Sequence, residues 1–392
     1  MRNLSYSFEA DQFVSGDLTL LADHITESST IAEIAFQQEP DPIIWGILLD
    51  GSLISVTFLP DQRVVSWARH PMTATNALVE ALGVIPHPDG NKDQVWLAVK
   101  RTLTNYLVQF AYTAFIVADD KVTVTGHGLS TQNDVLLIRN GGNYPSATVN
   151  GATYDLSATT TLYVYKIDNN NFKLHTTSAG ASSDTTATRI VISDQGSGDF
   201  GIRDASSPAT TVTRYIEYLD PDLEVDSGLT GTFSPAATSI SGLSHLAGET
   251  VNVIGDSAVY QNKTVANAKV TTSTGELAIA SAEIGLPFTP KMETLEPELV
   301  TQGGTMRGRQ KRWTKVFVRV TDTRGGFSIN GDQTLSRDSS VLMGSAPTAL
   351  SEEDIHVPSL GWQKIETVTV EQTQPLPITV LGVFGTMEFE DD

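Results

Sequence analysis

The chain has 392 residues, 40% of them hydrophobic, with 25 Lys and Arg against 46 Asp and Glu, a formal charge of −21. That balance excludes a protein that grips nucleic acid through cations clustered on phosphates, and the apolar share excludes wholesale disorder. Cysteine is absent, which excludes disulfides, thiolate metal sites and cysteine nucleophiles.

The opening MRNLSYSFEADQ lacks the apolar core of a signal peptide, and no apolar run approaches the ~20 residues of a membrane helix. Residues 5–8 read as a short strand. Gly16-Asp17 then precedes residues 18–25, apolar at helical spacing with Asp17 as N-cap, which predicts a helix. Thr30 and Glu33 are spaced as a capping box for a second short helix over Ile31–Gln37, ended by Pro40 and Pro42.

Residues 43–70, IIWGILLDGSLISVTFLPDQRVVSWARH, are the strongest local signal. Two apolar runs flank Asp50-Gly51, a dipeptide suited to a type I′ hairpin turn. Pro60 stops the second run, and a third begins at Val64. The pattern predicts a three-stranded meander, with Trp45, Phe58 and Trp67 as body-core aromatics that another layer must cover. After His70 comes a stretch read as irregular, with Gly83, Pro86, Pro88 and Asp89-Gly90. Residues 94–101 (QVWLAVKR) are a further strand, and its Trp96 joins the aromatic series.

A strand of matching character, RYIEYL at 214–219, comes more than a hundred residues later. Between them the composition shifts to Thr, Ser, Asn, Asp and Gly, with turns at Gly126-His127-Gly128, Asn140-Gly141-Gly142 and Asn150-Gly151. This predicts a small β-domain inserted at a hairpin tip, where loop-closure entropy tolerates it. The organisation read from the sequence is residues 1–110 as N-terminal helices and meander, 111–210 as the insertion, and 211–392 as a β-rich body. The fold class is mainly β, a multi-domain sandwich or barrel body.

Asp220, Asp222, Glu224 and Asp226 alternate as at the start of a calcium loop, but Val225 stands where a turning glycine belongs, so a solvated acidic loop is the reading. Short strands follow, among them residues 250–254, 269–272, 316–320, 341–343, 365–370 and 378–382, with Asn330-Gly331 as a hairpin signal. Arg307, Arg309, Lys311, Arg312 and Lys315 form the only basic run, read as a contact to a neighbouring subunit's acidic surface. Residues 388–392 read as a mobile acidic tail. His127 and Ser130 sit close but without an orienting carboxylate, and His245 with Glu249 is one pair, short of a metal site. No catalytic, cofactor or metal residue is assigned, and the chain is read as a non-enzyme.

Three segments taken in order resemble a known family: the meander from Pro42 to His70; the split pair at 95–101 and 214–217; and GLSHLAGETV at 242–251. Together, with the leader from Asp17 to Pro40, they resemble the C-terminal half of tail nozzle proteins, the tail tubular protein B type of short-tailed bacteriophages. The insertion, through VTVTGHGLS at 122–130, Tyr163-Val164-Tyr165 and Phe172-Lys173-Leu174, resembles a phage virion module named after the first catalytic-cysteine half-domain of ubiquitin-activating enzymes. That name implies no thioester chemistry in a chain without cysteine.

The nozzle resemblance implies a homo-oligomer, usually a hexamer, below an adaptor or head–tail connector and beside tail fibres or other tail proteins. Double-stranded DNA would pass through it without specific binding and without membrane insertion. It implies localisation in the virion after synthesis in the bacterial cytoplasm, and no cofactor. Nozzle proteins usually carry a substantial part ahead of this leader, so a second chain or a minimal nozzle is implied. The competing expectations are a receptor-binding or tail-spike protein for host glycans, and another head–tail stopper. Removing residues 117–207 is expected to leave ring assembly intact.

Overall fold

The structure is a computed structural model. It describes all residues except 9–10, 21, 28, 63, 73–76, 273–275, 298–299, 302–303, 306–308, 335–345, 348, 358–360, 363–366 and 390–392. Strands hold 55% of the chain and helices 7%, in several sheets of which none closes into a barrel among the described residues, which is consistent with a sandwich body. Two compact units divide the chain: Met1–Asp220 with Ser239–Thr250 and Thr264–Thr271, and Pro221–Thr238 with Val251–Lys263 and Thr272–Asp392.

The first unit opens with a two-stranded ribbon, β1 (Arg2–Ser7) and β2 (Gln12–Asp17). The helix expected over residues 18–25 is only a four-residue turn, α1 (Asp23–Thr26); Asp17 ends β2 instead, its carboxylate accepting from Thr19 N at 2.9 Å and Thr19 Oγ1 at 2.7 Å. The second expected helix is a strand, β3 (Ile31–Gln37), antiparallel to β4 (Ile43–Leu48). Seven residues are too few for a helix to stand alone, whereas a strand there satisfies its backbone on the free edge of β4.

The meander is present as β4, β5 (Leu53–Leu59) and β6 (Val64–His70), giving the order β3-β4-β5-β6. Its first turn is not type I′. Only Gly51 has positive φ, at 85°, Gly51 N bonds Leu48 O at 2.9 Å and Leu48 N bonds Ser52 O at 2.9 Å, the pattern of a tight turn closed by a glycine bulge. The sheet has two covered faces. Trp45, Ile47 and Leu53 pack with Val79, Val95, Leu97 and Val99, while Leu48 and Ile54 pack with Ala22, Ile25, Ile31 and Trp67. Trp45 is buried; Phe58, Trp67 and Trp96 are half-buried at the margins.

The stretch expected to be irregular holds β7 (Leu78–Pro86), paired with β8 (Asp93–Thr104). Gly83 lies opposite Trp96 in that pair. β8 pairs along its length with β19 (Thr210–Tyr218), from Thr104↔Thr210 to Trp96↔Tyr218.

Between the two arms of that stem lie β9 (Val108–Ala111), β10 (Phe115–Ile116), β11 (Lys121–Thr123), β12 (Asp134–Asn140), β13 (Ala147–Val149), β14 (Ala152–Tyr154), β15 (Thr161–Lys166), β16 (Asn171–His175), α2 (Ser178–Ser182), β17 (Val191–Ile192) and β18 (Asp199–Asp204). They form a seven-stranded sheet, β10-β11-β16-β15-β12-β18-β9, and a three-stranded one, β14-β13-β17. These share one core that includes Phe110, Phe115, Phe172 and Phe200.

The second unit begins with β20 (Asp226–Ala237); β21 (Ser239–Ser241) returns to the first unit. β22 (Thr250–Gly255) and β23 (Ala258–Thr264) form a hairpin, and β24 (Lys269–Thr271) pairs with β21. β25 (Ile279–Leu286), β26 (Lys291–Glu293), the short pair β27 (Val300–Thr301) and β28 (Gly304–Thr305), β29 (Lys311–Thr323), β30 (Phe327–Ile329), β31 (Asp332–Gln333), β32 (Leu350–Val357), β33 (Thr369–Gln372) and β34 (Thr379–Phe389) complete it. Its sheets are β20-β25-β22-β23, β26-β33-β30-β31 and β32-β29-β34. The strand expected over 341–343 and the start of the one over 365–370 lie outside the described residues. Glu388 belongs to β34 and pairs with Arg312, so the acidic tail does not begin there.

Candidate functional site

The stem is where separated sequence segments meet. Arg101, fully buried, donates Nε to Glu217 Oε1 at 2.7 Å and Nη2 to Oε2 at 2.6 Å, across 116 residues of sequence. The planar fork fits the carboxylate in both bonds, and a charge that deep persists only because it is paired. Arg214, exposed on β19, makes the same fork with Glu80 of β7, at 2.6 and 3.0 Å. The Arg214 hydrogen bonds hold the Glu80 carboxyl below its usual range. Trp96 packs on its register partner Tyr218 with ring centres 5.4 Å apart.

The tip of the stem is a junction. Glu249, in the segment 242–251, accepts from Thr104 N at 2.7 Å and Thr104 Oγ1 at 2.8 Å. The Tyr106 ring fills the space between two glycines: a Cβ on Gly201 would stand 2.2 Å from Tyr106 Cε1, and one on Gly248 2.3 Å from Cε2. Its hydroxyl donates to Asn140 Oδ1 at 3.1 Å, and burial pushes the phenol pKa up. Gln109 Oε1 accepts from Ala268 N at 3.3 Å. The root of the inserted strands is thereby fastened to the segments 242–250 and 264–271. Sequence reasoning marked 242–251 but missed the role of Gly248; its signal, a glycine ahead of a carboxylate, is too common to stand out.

The basic run is dispersed. Arg307 lies outside the described residues. Lys311 is fully buried against Glu296 and the Pro297 carbonyl. Arg312 bonds Glu388 Oε2 from Nε at 2.9 Å and from Nη2 at 2.7 Å, and lies over the Trp362 ring. Arg309 is half-buried and Lys315 exposed. Lys311 and Arg312 thus already neutralise carboxylates of their own chain.

The histidines have structural partners. His127 bonds Asp168 O through Nε2 at 2.9 Å, accepts from Leu129 N through Nδ1 at 3.0 Å, and packs edge-on to Phe172. His245 lies against Tyr215, while Glu249 faces Thr104, so the two do not converge. Glu224 of the acidic loop is not fully solvated; burial pushes its carboxyl up, and Gln372 approaches it at 3.5 Å. Among the described residues no three metal-ligand side chains gather.

One cluster had no sequence signal. Asp184 takes Lys173 Nζ at 2.9 Å and Arg189 Nε at 2.7 Å, with His175 Nε2 at 3.2 Å. His175 Nδ1 lies 3.2 Å from Thr188 Oγ1. The order Asp–His–hydroxyl has the outline of a nucleophilic triad. Its chemistry is a lock instead: the ring is fully buried, burial lowers the His175 pKa, and two cations hold Asp184. An open groove of about 380 Å³ is lined by Gln109, Phe110, Thr113, Thr123 and Asn267 among others, and carries no charged side chain.

No protein-family model matches the chain, and no curated protein matches it.

Proposed function

We propose that the chain is a structural subunit of a bacteriophage tail, a ring-forming nozzle or tube protein lining the channel through which double-stranded DNA is ejected. One observation supports this reading above others. The meander, the split pair and the segment 242–251, scattered over two hundred residues, meet in one unit through β8, β19, Arg101–Glu217 and Glu249–Thr104. Those are the segments on which the resemblance rests.

The charge of −21 has a physical role in such a tube. A basic wall would bind the duplex by counterion release and stall it. An acidic wall repels it over a Debye length of roughly 8 Å at physiological salt and keeps transit smooth. The expected partners are further copies of the chain, an adaptor above and fibres or other tail proteins beside; no bond-breaking step is assigned to it.

Native mass and electron-microscopic class averages of the purified chain test the reading. A sixfold ring that leaves double-stranded DNA unretarded at low salt is expected. An isolated threefold particle that digests host sugar refutes it. The insertion test is best cut at Asn105 and Ala209, whose backbones bond at 3.0 Å, because β9 pairs with β18 and cannot be left behind.

A second reading, a glycan-binding appendage, is favoured by the groove on the insertion. Its lining is uncharged and mixes Gln109, Thr113, Thr123 and Asn267 with Phe110, Ile116 and Val124, and Gln109 Nε2 is buried there with no hydrogen-bond partner among the described residues. That is the kind of surface a neutral sugar ring fits.

A further inference from the structure

The ribbon β1–β2 is built to be covered. Its register sets Leu4 opposite Ser15 and Tyr6 opposite Phe13, so Leu4, Tyr6 and Phe13 share one face, with Phe8 just past the end of β1 against the Tyr6 ring, while Asn3, Ser5, Gln12 and Val14 take the other. The apolar face lies open: Leu4 is 71% exposed, Phe8 90%, Phe13 68% and Tyr6 43%. Tyr6 meets Phe8 and Phe13 edge-on at 5.1 and 5.4 Å, so the aromatics already form one patch. A ribbon of two strands is marginal in water without a layer against that face.

The same unit exposes a second apolar surface. On the sheet face covered at one end by Ala22 and Ile25, the other end carries Ile34 and Phe36 on β3 with Phe58 and Val65 on β5 and β6. Ile34 and Phe36 are more than half exposed. Two different apolar patches on one chain are what a head-to-tail, ring-closing contact requires.

We propose that the aromatic face of β1–β2 in one copy docks on the Ile34, Phe36, Phe58 and Val65 end of the meander sheet in the next. The inference rests on the ring reading above and names the surfaces that close it. Aromatic side chains bury about 150–250 Å² each, so the ribbon supplies on the order of 500 Å². That is a large part of the roughly 800 Å² per partner of a stable interface.

Complementation tests it. Wild type is compared by sedimentation and native mass with a ribbon variant, Leu4→Ser with Phe13→Ser, and a sheet variant, Ile34→Ser with Phe36→Ser. All these positions are exposed, and circular dichroism checks that both variants fold. The expected result is a ring for wild type, monomers for each variant, and a one-to-one heterodimer on mixing, because one intact ribbon and one intact sheet face remain. A ribbon variant that still rings, or a mixture that stays monomeric, overturns the docking while the ring reading stands. A monomeric wild type overturns both. The natural absence of cysteine allows a second measurement: Phe13→Cys with Phe36→Cys is expected to give a ladder of linked copies on oxidation. A linked single chain would mean that the ribbon folds onto its own sheet, and would refute the proposal.

Discussion

Replacing Glu217 by Ala leaves Arg101 buried without its carboxylate. Breaking a buried pair from one side costs about 3–5 kcal/mol, because the remaining charge has lost a carboxylate that water cannot replace there. Glu217 is 19% exposed and Arg101 0%, so water enters from the Glu217 side and the lower end, about 3 kcal/mol, is expected. The control lies in the same sheet: Glu80→Ala on β7 removes an equally well-formed fork from Arg214 of β19, but Arg214 is 62% exposed, and a much smaller loss is expected. The chain has two units, so one global midpoint is the wrong readout. Hydrogen exchange of the β8 and β19 amides reads the stem directly. Opening of these strands should become about a hundredfold easier in Glu217→Ala and only a few-fold easier in Glu80→Ala. An Arg101→Met, Glu217→Leu double variant should recover most of the loss. Equal effects at Glu217 and Glu80 would refute the reasoning that burial makes this pair matter.

At the junction, Gly248→Ala places a methyl 2.3 Å from the Tyr106 ring at a φ of 82°, and a loss of roughly 2–3 kcal/mol is expected. Tyr106→Ala in that background should return the steric part, which a double-mutant cycle read by hydrogen exchange of the β18 amides measures. Burial holds His70, bonded to Ser55 and packed on Trp45, at a pKa of about 4, against 6.5 unfolded. The unfolded chain therefore takes up the proton first. Stability should be full above pH 6.5 and fall by up to about 3 kcal/mol as pH drops towards 4, and His70→Phe should flatten the hydrogen-exchange protection factors of β5 and β6 over that window. In the second unit Glu296→Ala strands the buried Lys311 and should weaken protection of β29 strongly, while Glu388→Ala, opposite the partly exposed Arg312, should cost under about 1 kcal/mol.

The sequence by itself determined what short range controls. Apolar runs split by turn residues marked β4, β5, β6 and β8, and the mainly β class followed. Asn150-Gly151 and Asn330-Gly331 turn with positive φ at both residues, as the dipeptide chemistry requires. Tertiary structure decided the rest. The segment Ile31–Gln37 carries helix signals worth tenths of a kcal/mol each, and the open edge of β4 outweighs them. Asp50-Gly51 takes a bulged turn in which Gly51 packs against Leu78, where a Cβ would come within 2.7 Å, and its carbonyl holds Val79 N at 2.9 Å. The basic run looked like one surface because it is contiguous in sequence, yet β29 sends Lys311 inward and leaves Lys315 outside. The Arg101–Glu217 fork and the Tyr106–Gly248 contact join residues more than a hundred apart. No window of sequence encodes such contacts, because each takes its energy from burial that exists only after the chain has closed on itself.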